Sequence, residues 1–403
     1  MKIALTCGMD FSRPNGVTRY IEAVASGLAR HQEVHLLSSE EPPLEMPVTV
    51  HRTPLMRFPW MRCEPKTRWI RSILNVVQLT TRLFFNAVYF QSLYRRLRKY
   101  NHVDIFHSQS LDSPVADVVT MHACYAAAWN KKRMSIHDIS LSAILGYILF
   151  LPFNWGSLAI ERSILHRSQL IMAVSPQVKQ EIMEIYHIRK DKIAVVPNGV
   201  DMHRFKPDPE KRRLLRQRYG ISVGETVLIF VGNLFKVKGL DCVLEAIGSL
   251  DGVRLFVIGD DVHLSTYLRR TQKSGLGERV IFTGKVTTGI ENYYAASDIF
   301  VLPSESEGFP LSALEAGASA LPLLTTRIGG LQEFVEDGKN GFFIQRQARD
   351  IADRVKQMVS DPTLIITMGA SARMKAERYS WEIVVEKTLN GYRLIMGEKL
   401  PDI

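Results

Sequence analysis

A chain of 403 residues, 46% hydrophobic and 23% charged, exceeds the roughly 250 to 300 residues that one core usually serves, so two domains are expected and a disordered, collagen-like or wholly membrane-embedded chain is excluded. The formal charge of +10 is local: residues 52–99 hold 11 Lys and Arg against one acid, Glu64, which leaves 40 basic and 40 acidic residues elsewhere and points to a local anionic partner. Four cysteines, Cys7, Cys63, Cys124 and Cys242, lack any C-x-x-C spacing, which argues against a zinc site or a disulfide framework and fits a reducing compartment.

Lys2–Cys7 reads as a buried strand, and because no longer apolar stretch or small-residue cleavage site follows Lys2, export is not expected. A loop, Gly8–Gly16, leads to a helix from about Val17 with Tyr20, Ile21, Val24 and Leu28 on one face. Strand, turn and helix start together offer backbone N–H groups to a phosphate, although Asn-Gly pairs are also common in purely structural turns. The loop has no G-x-G-x-x-G, which argues against a dehydrogenase.

Further strands are expected at Glu33–Ser38, Val103–His107, Asp117–His122, Leu170–Val174 and Ile193–Pro197. His122 closes its strand, where ligands of open α/β sheets bind. It can meet a substrate hydroxyl, or be a satisfied histidine at a strand end; His107 ranks below it. Two segments interrupt the pattern. Trp69–Tyr100 is a long helical stretch, rich in aromatics and ending in Arg95-Arg96-Leu97-Arg98-Lys99, of the kind that lies in a membrane interface. Leu141–Ile160 is apolar and near the roughly 20 residues of a span, but it contains Pro152 and Asn154. A buried or surface-docked helix pair is the preferred reading, with interdomain or oligomer packing as the alternative. Nucleic acid is disfavoured as the anion, since no nucleic-acid-binding motif accompanies the charge.

Asn198-Gly199 and the prolines at 207 and 209 place the domain boundary before the charged helical segment Pro209–Tyr219. The domains are then residues 1–198 and 199–380, with a C-terminal helix in 381–403 whose apolar stripe is core material. The second half repeats the strand pattern at Thr226–Gly232, Val253–Gly259, Arg279–Thr283, Asp298–Pro303, Leu321–Thr325 and Gly341–Ile344. Near-continuous apolar runs of this kind belong to parallel sheets covered on both faces, so the fold class is α/β with two doubly wound domains.

Gly232 leads through Asn233 to Lys238-Gly239 and an amphipathic helix. A lysine at a helix start makes a cradle for a diphosphate; the plainer reading is a solvated loop charge. The richest constellation is Pro303 to Ala316, in which Glu307 and Glu315 are eight apart across a strand, loop and helix. An inward Glu315 needs a polar partner, and ribose hydroxyls would serve. Helix-start amides at Phe309, Leu311 and Ser312 suit sugar hydroxyls, with Glu307 beside the sugar. Capping explains the Glu-Gly-Phe-Pro turn but not the second acid.

On these residues the chain resembles the family 4 retaining glycosyltransferases of the GT-B fold. The matching pieces are Asn15-Gly16-Val17 through Arg19, His122, Pro197 to Asp201, Gly232 to Lys238-Gly239, Glu307 through Glu315, and Gly329-Gly330 through Gly341. The resemblance implies two Rossmann-like domains facing across a cleft, with the C-terminal helix packing back towards the N-terminal one. It implies a nucleotide sugar with its diphosphate on Lys238 and the Gly16 loop, ribose on Glu315, hexose near Glu307 and His122, and base by Thr283-Gly284-Lys285. Asn233 stands where many members carry Arg, which alters one diphosphate contact.

The Gly232 to Asp241 stretch, with Cys124-Tyr125 and Glu161-Arg162, looks like the branch of lipopolysaccharide core glucosyltransferases. That branch implies a UDP-hexose such as UDP-glucose, a lipid-linked glycan acceptor and work at the cytoplasmic face of the inner membrane, in agreement with the basic stretch. Neither a metal nor a resident cofactor is expected, since no Asp-x-Asp motif lies in a suitable place. A sugar-nucleotide epimerase of the same fold and an inactive sugar-nucleotide-binding protein are the alternatives.

Overall fold

The computed structural model describes residues 1–8, 11, 15–38, 46–52, 68–99, 102–134 and 141–397. Cys63, Glu64, the 53–67 part of the basic stretch and most of the loop between Gly8 and Gly16 lie outside the described residues. The chain divides into two units, Met1–Val196 with Val385–Ile403, and Pro197–Val384.

The first unit is built on seven strands: β1 (Lys2–Cys7), β2 (Glu33–Ser38), β3 (Thr49–Arg52), β4 (Ile105–Gln109), β5 (Val118–Met121), β6 (Leu170–Ala173) and β7 (Ile193–Val195). They pair in parallel in the order β3-β2-β1-β4-β5-β6-β7. Only β3 escapes the sequence pattern. Its residues, Thr-Val-His-Arg, are few, mostly polar and half-buried or exposed at a sheet edge, so no apolar run marks it. The helix Gly16–Ala29 buries Tyr20, Ile21, Val24 and Leu28, the face expected from its periodicity.

The last helix, Trp381–Ile395, begins in the second unit and continues from Val385 in the first. Within the first unit its approach depends on glycine. A Cβ at Gly27 would collide with Val385, and one at Gly391 would stand 2.6 Å from Met172 Cε. Tyr392 is fully buried and its hydroxyl lies 2.6 Å from His107 Nδ1, while His107 Nε2 lies 2.8 Å from Thr120 Oγ1. The stripe is core, as expected, and His107 is a packed, satisfied histidine.

The two irregular segments form a helix pair. Arg68–Lys99 packs against Leu141–Arg167, and Gly156 admits Phe84, whose Cζ would sit 2.8 Å from an added Cβ. The second of these helices runs past the expected Ile160 because Ile164 and Leu165 extend its buried face. Among the described residues no helix is long and apolar enough to cross a membrane.

The second unit carries β8 (Thr226–Val231), β9 (Val253–Ile258), β10 (Val280–Gly284), β11 (Ile299–Leu302), β12 (Leu323–Thr325) and β13 (Gly341–Phe343), all parallel, in the order β10-β9-β8-β11-β12-β13. The helix Pro209–Arg218 follows its cap, Asp208, as the prolines suggest. Asn198 falls in this unit, just past the division at Val196/Pro197. In each sheet the strand order reverses once, between β1 and β4 and between β8 and β11. At such reversals the loops beyond the carboxyl ends of the strands part and leave room for a ligand.

Candidate functional site

In the second unit the reversal is flanked by the loops that carry Lys238 and Glu307. After β8 the chain makes one helical turn, Phe235–Lys238, which Gly239 ends at φ 81° before the helix Leu240–Gly248 begins. Lys238 therefore stands at a junction between two helical segments, not within a single helix start as the sequence suggests, because the left-handed Gly239 breaks the spiral. Its stem crosses Gly232 so closely that any Cβ there would collide with it, and Gly239 is pressed on the carbonyl of Pro303. The Nζ lies 2.5 Å from Glu307 Oε1, with the two side chains 19% and 11% exposed.

Glu307 is held from behind. Gly329, at φ 50°, packs its α-carbon on the Glu307 carbonyl, and the Gly330 amide donates to the Gly308 carbonyl at 2.8 Å. Side chains at either glycine would push the loop away. Arg346 adds a brace that sequence reading misses: it bonds the Lys236 carbonyl and Glu305 Oε2, the latter at 2.8 Å, and so joins the two loops. Asn198 braces a third point, giving its amide to the Phe309 carbonyl at 2.6 Å.

Glu315 lies on the helix Leu311–Ala318, 2% exposed. The polar partner that its burial demands includes one from the protein, the Tyr294 hydroxyl, which donates to Oε2 at 2.8 Å. Tyr294 gave no signal in the sequence, being one more aromatic in a helix. Leu311 and Ser312 open the Glu315 helix after Pro310, whereas the Phe309 ring is buried against Phe334 and Tyr379. Asn233 Oδ1 accepts from the Asp260 amide at 3.1 Å, a backbone brace that an Arg would not make. Gly284 ends β10 at φ 68°, its carbonyl accepting from Gly259 N at 3.0 Å.

In the first unit, Gly16 is the exposed first residue of its helix. The helix-start amides are partly occupied: Asn15 Oδ1 accepts from Val17 N at 2.9 Å and Thr18 N at 3.1 Å, completing a capping box. The Asn that precedes Gly16 is thus a cap, which narrows what this turn offers a phosphate. His122 follows β5, its Nε2 lying 3.1 Å from Gln109 Oε1 and its ring edge-on to Tyr20 at 4.8 Å. Burial holds its imidazole down at about 4, and that of His107 at about 3. Among the described residues no group of three or more His, Cys, Asp or Glu is placed to hold a metal ion.

These two histidines give the fold a signed pH response. Their folded values lie below the ordinary value near 6.5, so the unfolded chain takes up protons first and stability is lost as pH falls from about 6.5 towards 4. Thermal melts followed across that range should show this contribution as a difference from His107→Gln, whose curve should be flatter than that of the wild type; two curves that run parallel through the range contradict the burial of this ring.

The Glycosyl transferases group 1 family matches residues 211–379, and Glycosyltransferase Family 4 matches residues 14–204. The chain is 28% identical over 252 residues to the GDP-mannose-dependent alpha-(1-6)-phosphatidylinositol monomannoside mannosyltransferase of Mycobacterium tuberculosis, covering 58% of this chain and 65% of that one. It is 28% identical over 251 residues to the D-inositol 3-phosphate glycosyltransferase of Nocardia farcinica, covering 59% and 55%. The match thus spans less than two thirds of these curated relatives. Two solved structures share the fold. WaaG, a glycosyltransferase involved in lipopolysaccharide biosynthesis, aligns at TM-score 0.75 and 20% identity over 98% of this chain and 100% of its own. Anabaena HepE in complex with UDP-glucose aligns at 0.68 and 17% over 96% and 99%.

Proposed function

The chain belongs to the family 4 glycosyltransferases of the GT-B fold, and from that premise we propose that it moves a hexose from a nucleoside-diphosphate sugar to a lipid-linked or other glycan acceptor, with retention and without a metal. The observation that carries this reading is the Lys238–Glu307 pair at the strand-order reversal of the second sheet, with Glu315 buried on the helix that follows. The ammonium meets the diphosphate, Glu307 meets the sugar, and Glu315 with the start of its helix meets the ribose. His122, in the first unit, serves a sugar hydroxyl as a neutral ring.

In the step itself, the bond from the anomeric carbon to the diphosphate oxygen breaks and a bond to the acceptor oxygen forms on the same face. The acceptor's proton passes to the departing phosphate oxygen. Charge that grows on this leaving group is met by Lys238, already in place before the reaction begins. UDP-glucose, implied by the likeness to the lipopolysaccharide branch, and GDP-mannose, named for the Mycobacterium relative, are the donors to compare first. Incubation of each with a lipid extract should yield nucleoside diphosphate and glycolipid in equal amounts. Isomerised donor without acceptor would favour an epimerase, and donor binding with no product from any extract would favour an inactive binding protein.

A peripheral membrane site fits the helix pair of the first unit. Val77, Phe84 and Val88 recur along one stripe of Arg68–Lys99 and are exposed, as is Trp155 beside Gly156, at 68%. Arg95, Arg96 and Lys99 are exposed on the same helix. Each basic group near an anionic surface adds about 1 kcal/mol. Arg95→Glu with Arg96→Glu should therefore cut recovery with phosphatidylglycerol vesicles in sedimentation by about tenfold or more, with little change on neutral vesicles. Equal recovery on both for the double variant and the wild type would remove the membrane from the reading.

A further inference from the structure

The first unit holds a polar cluster of its own at the carboxyl ends of β1, β4 and β5, and the mechanism above uses only one member of it. Gln109, 2% exposed, ends β4 immediately before Ser110, whose backbone is left-handed at φ 47°. A non-glycine residue in that conformation is uncommon and is kept where the surroundings fix it. Here the Ser110 amide is tied to the Thr120 carbonyl at 2.8 Å, and the Gln109 amide to Thr6 Oγ1 at 3.2 Å. Both ends of the Gln109 residue are therefore anchored, and its side chain is aimed at His122.

We propose that Gln109 is a positioning residue: its side-chain carbonyl accepts a hydrogen bond from the Nε2–H of His122 and so fixes a neutral imidazole that presents Nδ1 as an acceptor. This rests on the reading that His122 serves a substrate hydroxyl. The ring has few other freedoms. Tyr20 stands edge-on to it at an interplanar angle of 82°, and the Tyr20 hydroxyl is itself 3.4 Å from Thr120 Oγ1. Among the described residues the titratable groups that meet the ring are Tyr20 from the helix Gly16–Ala29 and His107 from β4, both fully buried, and neither carries a charge that would hold a proton on His122. Burial acts in the same direction, so a carbonyl partner suffices where a carboxylate would make an imidazolium. An amide at position 109 thus selects both the tautomer and the charge of the ring.

The test reads the ring directly. In the full chain labelled with 15N-histidine, with His122 assigned by its loss in His122→Asn, the wild type should show one neutral tautomer, protonated at Nε2, over about pH 5.5 to 8. Gln109→Leu should average the two nitrogens and lower kcat by about tenfold, the worth of one good hydrogen bond. Gln109→Glu should bring the His122 titration up into that pH range and give kcat an acid limb that the wild type lacks. A wild-type ring protonated at Nδ1 overturns the proposal, as do variants that keep the wild-type tautomer and a flat pH profile. The spectra need no turnover, so failure to transfer any sugar would sink the functional reading while the tautomer alone decides the role of Gln109.

Discussion

Lys238→Ala should lower kcat for sugar transfer by about a hundredfold to a thousandfold, the range seen when one preorganised charge stabiliser is removed. The expectation comes from its setting. An ammonium only 19% exposed, 2.5 Å from a carboxylate, is held in one place by the glycine beneath its stem and by the turn that Gly239 ends. Its position is already fixed when the diphosphate begins to leave. Lys238→Arg should not restore the rate, because a planar guanidinium on a stem that skirts Gly232 cannot place its charge at the same point. Gly232→Ala should mimic the loss without touching the charge, since a Cβ there displaces the lysine stem.

The partner residue separates binding from chemistry. With Glu307 in place, the incoming diphosphate must compete with a carboxylate for Lys238. Glu307→Gln removes the competitor while keeping the shape, so the free nucleoside diphosphate should bind more tightly, as read by calorimetry, even as transfer falls because the sugar loses its contact. Wild-type turnover in Lys238→Ala, measured with a donor and acceptor that the wild type converts, would end the assignment of this pair to the reaction.

The sequence makes some parts of this arrangement legible and hides others for physical reasons. Strands buried on both faces write themselves as apolar runs, so twelve of the thirteen described strands appear with boundaries within a residue or two, and β3, exposed at an edge, does not. Glu315 stands out because a charge among Leu314, Ala316 and Ala318 is improbable without a use, whereas Glu307 and Lys238 are singled out by the spacing that the family likeness gives meaning to. Their supports are silent. Tyr294, Gln109 and Arg346 act through contacts between segments distant in the chain, 21, 13 and 41 residues from Glu315, His122 and Glu305, and no local pattern announces such pairs. Asn15 is the opposite case: its pairing with Thr18 is a local capping signature, and the family likeness drew attention to Gly16 instead.

Glu161→Ala should destabilise the first unit more than any single surface change, and the reason is the way the segment after His122 is held. The helix Tyr125–Met134 follows Cys124, whose thiol is a poorer cap than the oxygen of Ser, Thr, Asp or Asn. Glu161, wholly buried on the helix Leu141–Arg167, supplies the oxygens instead. It accepts from Tyr125 N at 2.7 Å, Ala126 N at 3.0 Å and the Tyr186 hydroxyl at 2.5 Å. Removal leaves those donors unmet in the interior at about 1 to 3 kcal/mol each, less whatever water recovers, so a net loss of about 3 kcal/mol is expected. For a unit of this size that lowers the melting temperature by roughly 6 to 12 °C.

The pH dependence carries a sign of its own. Burial raises the Glu161 carboxyl above its ordinary value despite the three donors, so the folded state holds this proton more tightly than the unfolded chain. The contribution of Glu161 therefore falls as pH rises through the carboxylate range and is level above it. Glu161→Gln has no such titration, so its deficit against the wild type should be widest in acid and should narrow towards neutral pH. Because His122 lies three residues before the pinned helix, Glu161→Ala should also transfer sugar more slowly at temperatures where it remains folded. A variant that melts and turns over like the wild type would show that the helix is held by something other than this carboxylate.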